Sequence, residues 1–329
     1  MSIDFLQGKT ILITGGTGSF GSNFTKFLLR FSGAEKIIIF SRDELKQFHL
    51  RQALGDDSRL RFFLGDIRSL KRLQRAFHGV DIVVHAAALK QVSTLEYNPF
   101  EAVETNILGS QNVIDAAIDQ KVKKVVLIST DKAAQPVNLY GSTKLCAEKL
   151  FVSGNSYASR ETVFSCVRYG NVIGSRGSIV ETLLKDKHKK EVTITDERMT
   201  RFWITLGQTF KLVLFALREM EGGEIFIPKI PSMKIVDLFN TLAPQAEKKI
   251  IGSLPGEKIH ETLISEEEAR HAVEYGDYYV ILSDFPFFSA DIYKKYFQDG
   301  AKLPAGFCYA SDTNKDWLTP EQLKIITKS

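Results

Sequence analysis

Lys9-Thr10-Ile11-Leu12-Ile13-Thr14-Gly15-Gly16-Thr17-Gly18-Ser19-Phe20-Gly21 is the stretch whose reading decides the fold. Lys9 to Thr14 is a short apolar run of strand type. The glycines follow without a spacer, and Phe24, Phe27 and Leu28 then recur at helical spacing. Gly16, Gly18 and Gly21 fit G-x-G-x-x-G; Gly15, Gly18 and Gly21 fit G-x-x-G-x-x-G. Glycine lets the backbone turn tightly and lets a pyrophosphate approach a helix N-terminus, whose free N–H groups attract anions. Strand before and helix after are both present, which is the context the motif needs.

Working outward, the strand pattern returns at Lys36 to Phe40, Leu60 to Leu64, Val80 to His85, Lys123 to Ser129 and Thr162 to Arg168, with helical patterns between. This alternation predicts an α/β fold with a doubly wound parallel sheet. The second strand ends in Ser41-Arg42 rather than in the acid that would hold a ribose 2′-hydroxyl. A hydroxyl and a guanidinium, with Lys46 one turn on, suit a 2′-phosphate and so point to NADP. Asp66 and Ile67 after the third strand can flank an adenine ring. Ala86, Ala87 and Ala88 after the fourth leave room for a cofactor, and Lys90 points toward the same crevice. His85, at the end of an apolar strand, reads as structural. Asn98 to Asp119 reads as one long helix, with Asn106 holding a bend or a water.

The chemistry concentrates in Leu127 to Lys144, where a strand runs into a polar loop with Asp131 and Lys132 and then a helix. Tyr140 and Lys144 are four residues apart and therefore share a helix face. A nearby ammonium lowers a phenol pKa, so Tyr140 is expected to act as a base with Lys144 as its cation.

After the stretch Tyr169 to Ser178 the rhythm changes, and a smaller lobe is expected from residue 171, partly interleaved with the first domain of residues 1–170. From Asp284 onward the chain reads as an aromatic tail packed on the body or on a neighbouring subunit. The 329 residues carry a net charge of +4, which argues against a nucleic-acid binder and suits an anionic ligand. Three cysteines, Cys146, Cys166 and Cys308, show no metal or disulfide spacing. Without a membrane-length apolar run or a signal-like start, a cytoplasmic protein is expected.

Thr14 to Gly21, Ser41 to Gln47, His85 to Lys90, Ser129 to Lys144, Arg168 to Ser178, Met199 to Thr205 and Pro255 to Glu261 together resemble the extended short-chain dehydrogenase/reductases. Within that superfamily the chain is similar to the inverting UDP-N-acetylglucosamine 4,6-dehydratases of pseudaminic acid biosynthesis, which serves flagellin glycosylation. The most specific element is Ser129-Thr130-Asp131-Lys132-Ala133-Ala134 followed by Tyr-x-x-x-Lys.

The resemblance implies a Rossmann-type domain with a smaller C-terminal α/β substrate lobe and a homo-oligomer, as a hexamer. It implies an NADP site of Gly15, Thr17, Gly18, Ser19, Phe20, Gly21, Ser41, Arg42, Asp43, Lys46, Asp66, Ile67, Ala86, Ala87, Ala88, Tyr140 and Lys144. It implies that Lys90, Thr130, Asn171, Val180, Thr195, Met199, Arg201 and Glu257 line the UDP-sugar site, with Val180 and Met199 against uracil and Arg201 on phosphate. Asp131 would be the acid for the departing C6 hydroxyl and Lys132 the base at C5. Leu254 stands where relatives often carry a basic residue. A retaining dehydratase or a UDP-sugar epimerase would share the cofactor loop, and a non-catalytic NADP sensor would share the fold.

Overall fold

The computed structural model describes residues 3–186, 190–284 and 292–328. Strands β1 (Thr10–Thr14), β2 (Lys36–Ser41), β3 (Leu60–Leu64), β4 (Ile82–His85), β5 (Lys124–Ile128) and β6 (Val163–Val167) form where the apolar runs place them. They are rich in Ile, Val and Phe, and β1 is buried along its whole length, as a strand covered on both faces must be. All pair in parallel, in the order β3-β2-β1-β4-β5-β6. Strand order reverses between β1 and β4, which opens a crevice at their carboxyl ends.

The sheet does not stop at β6. Ile225–Pro228 adds a further parallel strand, and Tyr278–Ile281, Ala272–Tyr275 and Ala301–Lys302 continue it antiparallel. Residues that the sequence puts in the smaller lobe thus complete the main sheet, so a single cut at residue 170 does not separate the two. The smaller core gathers Val180, Leu183, Val192, Ile194, Trp203, Leu238 and Phe239, and receives Leu318 and Leu323 from the C-terminal segment. The tail packs on the body: Tyr296 Oη donates to Glu224, and Tyr309 Oη donates to the Ile230 carbonyl. Residues 285–291 of that tail lie outside the described residues.

The long helix is broken by a π-helical stretch, Val103–Leu108, between Pro99–Ala102 and Gly109–Asp119. Asn106 supplies the reason. Its side chain exchanges two 2.9 Å bonds with the Leu89 backbone and donates to Thr143 Oγ1 at 3.0 Å. One amide therefore ties the segment after β4 to the Leu139–Gly154 helix. Among the described residues, no helix is long and apolar enough to cross a membrane.

Candidate active site

A cleft of about 1010 Å³ lies at the carboxyl ends of the parallel strands, between the sheet and the smaller core. One wall is the glycine loop. Gly15 has φ +63°, and a Cβ there would stand 2.8 Å from the Ala87 backbone; a Cβ on Gly21 would stand 2.6 Å from Gly16 Cα. Only glycines let loop, helix and the β4 end close up this tightly, leaving the Ser19–Phe31 helix N-terminus facing the cleft. These residues fit a pyrophosphate. The cleft is lined by Gly15, Thr17, Gly18, Ser19, Phe20, Gly21, Ser41, Arg42, Asp43, Lys46, Asp66, Ile67, Ala86, Ala87 and Ala88, together with Tyr140 and Lys144.

At the β2 end Arg42 faces Asp66 at 3.6 Å and Lys46 pairs with Asp43 at 2.8 Å. The Ser41 hydroxyl accepts from Gln47. His85 turns away from chemistry: its Nδ1 meets Thr14 Oγ1 at 2.7 Å, its ring stacks on Phe151, and burial, helped by the Lys144 charge, lowers its pKa to about 3.

The stretch from residue 129 to 144 is held at both ends. Ser129 N donates to Val167 O and Asp131 N to Tyr169 O, so the end of β6 pins the loop. Thr130 caps the short turn Asp131–Ala133, and Asn138 caps the Leu139–Gly154 helix through Gly141 N at 2.8 Å. Lys132 Nζ lies 3.1 Å from Asp131 Oδ1 and 3.2 Å from Glu261 Oε1. Asp131 is 1% exposed, and burial raises its carboxyl above the usual range despite the Lys132 charge. Burial alone would lower the Lys132 ammonium, but Asp131 and Glu261 outweigh it and hold it above the usual lysine range.

Tyr140 departs from expectation. Burial pushes its phenol up to about 12, and the cation that pulls it back is Lys132, not Lys144. Lys144 Nζ donates to the Ile128 carbonyl at 2.8 Å, and burial lowers its own pKa to about 8 against the pull of Glu148. The helical spacing placed both residues on one face without fixing where the flexible lysine stem points.

Lys90, Thr130, Asn171, Thr195, Met199, Arg201 and Glu257 line the other half of the cleft. Asn171 Oδ1 is buried there without a hydrogen-bond partner. Val180 is not among the residues lining the cleft: it is fully buried in the smaller core. Arg201 lines the cleft, yet its Nη atoms donate to the Thr200, Ile259 and Lys258 carbonyls, so much of its donor set serves the 258–261 stretch rather than a phosphate.

Several residues at or behind the cleft were given no role in the sequence reading, although Arg176 stands out there as a basic group of the C-terminal half. Arg176 clasps the glycine loop, its Nη2 donating to Thr17 O and its backbone N to Ser19 Oγ, both at 2.9 Å. Trp203 and Tyr169 line the cleft. Behind it, Arg168 is fully buried and bonds Glu148 and Glu268. Glu261, 2% exposed, reaches Lys132 from the far end of the chain. Within the chain itself, one signal was a charged residue inside an apolar segment, as at Arg168 after Phe164-Ser165-Cys166-Val167.

A family model described as "Polysaccharide biosynthesis protein" matches residues 11–283. The chain belongs to this polysaccharide biosynthesis family. Within the family, it is 49% identical to the inverting UDP-N-acetylglucosamine 4,6-dehydratase of Campylobacter jejuni over 97% of both chains. It is 43% identical to a protein named UDP-glucose 4-epimerase of Rickettsia canadensis, covering 97% of this chain and 95% of that one. Its fold matches that of Pen from Bacillus thuringiensis with TM-score 0.88 and 39% identity over 98% of both chains. It also matches a UDP-glucuronic acid 4-epimerase from Bacillus cereus, solved with UDP-glucuronic acid and NAD, at TM-score 0.68 and 26% identity over 76% of this chain and 88% of that one. The family fold is the extended short-chain dehydrogenase/reductase fold, built on a large Rossmann-like sheet, and a nicotinamide dinucleotide is the cofactor class that the likeness supports.

Proposed function

We propose that the protein is an inverting UDP-N-acetylglucosamine 4,6-dehydratase. The observation that carries this is the Asp131–Lys132 ion pair opening into the same cleft as Tyr140 and the glycine loop. An oxidation at C4 alone needs one proton acceptor, which Tyr140 provides. Loss of water across C5 and C6 needs a second base and an acid, and the loop carries one of each.

The glycine loop and Ala86 to Ala88 would hold NADP, with Arg42 and Lys46 toward its 2′-phosphate, and the cofactor would supply the redox chemistry that links C4 to C6. Tyr140 accepts the C4 hydroxyl proton as a phenolate, which the Lys132 ammonium stabilises against the burial that raises the phenol pKa. Lys144, which lines the cleft with its Nζ on the Ile128 carbonyl, would contact the bound cofactor. The 4-ketone makes the C5 proton acidic, and Lys132 removes it. Asp131, whose carboxyl burial raises above its ordinary range, gives a proton to the departing C6 oxygen in its acid form. Reprotonation of C5 on the opposite face gives the L-arabino 4-keto sugar. Lys90, Thr130, Asn171, Thr195, Met199 and Glu257 orient the UDP-sugar.

By resemblance the product enters pseudaminic acid biosynthesis for flagellin glycosylation, in the cytoplasm, and the enzyme works as a homo-hexamer. Sedimentation checks the last point, where a monomer contradicts it. A UDP-sugar 4-epimerase is the second reading, favoured by the Rickettsia relative; it leaves Asp131 and Lys132 without a task. Lys132→Ala tests the choice. It should yield no keto sugar while substrate still slowly reduces the cofactor; normal turnover by this variant overturns the assignment.

A further inference from the structure

Lys132 is asked to be a base, yet it rests as an ammonium between two carboxyl groups, 3.1 Å from Asp131 Oδ1 and 3.2 Å from Glu261 Oε1. A base held protonated needs somewhere to leave its proton. Asp131 is not free to take it if it already carries the proton destined for the C6 oxygen. Glu261 is the other neighbour. It is 2% exposed, and it does not line the cleft, so it meets the sugar only through Lys132. Its Oε2 is buried without a hydrogen-bond partner, as is Asp131 Oδ2. Its place is fixed from behind: Glu261 N donates to Ser311 Oγ, and Ser311 N donates to Glu261 O.

We propose that Glu261 is a positioning residue acting through Lys132: it holds the amine beside Asp131 and takes over the ammonium proton when Lys132 is needed at C5. This rests on the dehydratase reading above. In the transfer an N–H bond breaks at Lys132 Nζ and an O–H bond forms at Glu261 Oε1. Both groups end uncharged, and no electrons leave or enter. The freed amine then takes the C5 proton and becomes an ammonium again, while Asp131 gives its proton to the leaving oxygen. Glu261 is left holding one proton, equal to the one that C5 must later regain.

The charged and titratable groups facing this pair are Asp131, Tyr140, Arg201 and Lys258, with Lys90 also within the Lys132 field. Lys258 Nζ stands 3.7 Å from Glu261 Oε2 and Arg201 Nε 3.8 Å from Oε1. In the resting state these cations, with Lys132, outweigh burial and keep Glu261 ionised. Transfer therefore waits for the substrate, whose entry dries the cleft and disfavours the charged pair.

The test uses full-length enzyme with NADP⁺ and UDP-N-acetylglucosamine in heavy water. Glu261→Gln keeps the shape but has no oxygen able to take a proton. Deuterium entry at C5, read by NMR, should fall ~10²–10⁴-fold. Reduction of cofactor by substrate and KM should stay within a few-fold. The rate should climb with pH, because Lys132 can now lose its proton only to solvent, where the wild type holds a plateau. Glu261→Asp should fold alike and restore the plateau. Equal loss of cofactor reduction and C5 exchange in both variants, or a Glu261→Gln enzyme with wild-type exchange and pH profile, overturns the inference. If Glu261→Gln does not fold, the presence or absence of the plateau in Glu261→Asp decides. A wild-type enzyme that makes no keto sugar sinks the dehydratase reading itself, which is a separate result.

Discussion

Replacing Arg168 by methionine should destabilise the whole chain more than any change in the cleft itself. Arg168 and Glu148 have no exposed side-chain surface. The guanidinium donates to Glu148 at 3.0 and 2.6 Å, to Glu268 at 2.8 and 3.0 Å, and to the Leu263 carbonyl at 2.9 Å. It therefore clamps β6, the Leu139–Gly154 helix and the Glu266–Ala269 turn together. Methionine fills much of the volume but leaves Glu148 as a buried charge, with Ser129 and the Lys144 field as its only remaining support. Breaking one side of a buried pair costs ~3–5 kcal/mol. At about 1.4 kcal/mol per decade, that lowers the folding equilibrium by roughly 10²–10⁴-fold. Glu268 is partly exposed and keeps its capping bonds to Ser265, so it adds little. Urea unfolding at neutral pH measures the loss. Adding Glu148→Leu removes the stranded charge, and the double variant should regain most of the stability. It should stay poorly active, because Glu148 supports the Lys144 ammonium. A loss below about 1 kcal/mol, or a double variant no more stable than the single, refutes the reasoning.

Gly141→Ala puts a methyl onto the Lys132 carbonyl and within 3.0 Å of Pro136, so it should cost ~1–3 kcal/mol and reduce activity further than stability, as unfolding and turnover assays would show together. His85 carries an acid-stability signature: its pKa is about 3 folded and 6.5 unfolded, so its contribution is complete above pH 6.5 and is lost as pH falls toward 3. Between pH 8 and 4.5 this amounts to about 2–3 kcal/mol, which His85→Asn should lack when unfolding is compared at the two pH values. Arg42→Ala should weaken NADP⁺ binding about 5–30-fold, the ~1–2 kcal/mol of a half-exposed charge-assisted contact, with NAD⁺ affinity unchanged by calorimetry. Asp131→Asn should stop dehydration while leaving cofactor reduction, and undiminished water loss would remove Asp131 from the acid role.

The parallel sheet was legible because its strands are runs of Ile, Val and Phe between glycine and helix signals, and a strand buried on both faces needs nothing subtler. That the turns after β1 to β4 line one cleft was legible for a related reason. These turns are local stretches, and local sequence carries its own geometry. What the sequence hid is what the fold brings from afar. Glu261 meets Lys132 across 129 positions, and Arg168 meets Glu268 across 100. The strands after residue 224 join the main sheet although they follow a segment with a different rhythm. Val180 misled because an apolar residue looks the same facing a core or a uracil. Tyr140 misled because a four-residue spacing fixes two Cβ atoms, not where a four-carbon amine ends.

In the proposed reaction one pocket moves a hydride from C4 of the sugar to C6 of the same molecule. UDP-N-acetylglucosamine carrying deuterium at C4 tests it most directly, with a catalytic amount of NADP⁺ and NMR of the product. The account predicts a 4-keto sugar whose label sits in the C6 methyl group. Label retained at C4 in an epimerised or unchanged sugar, or lost to the medium, contradicts it.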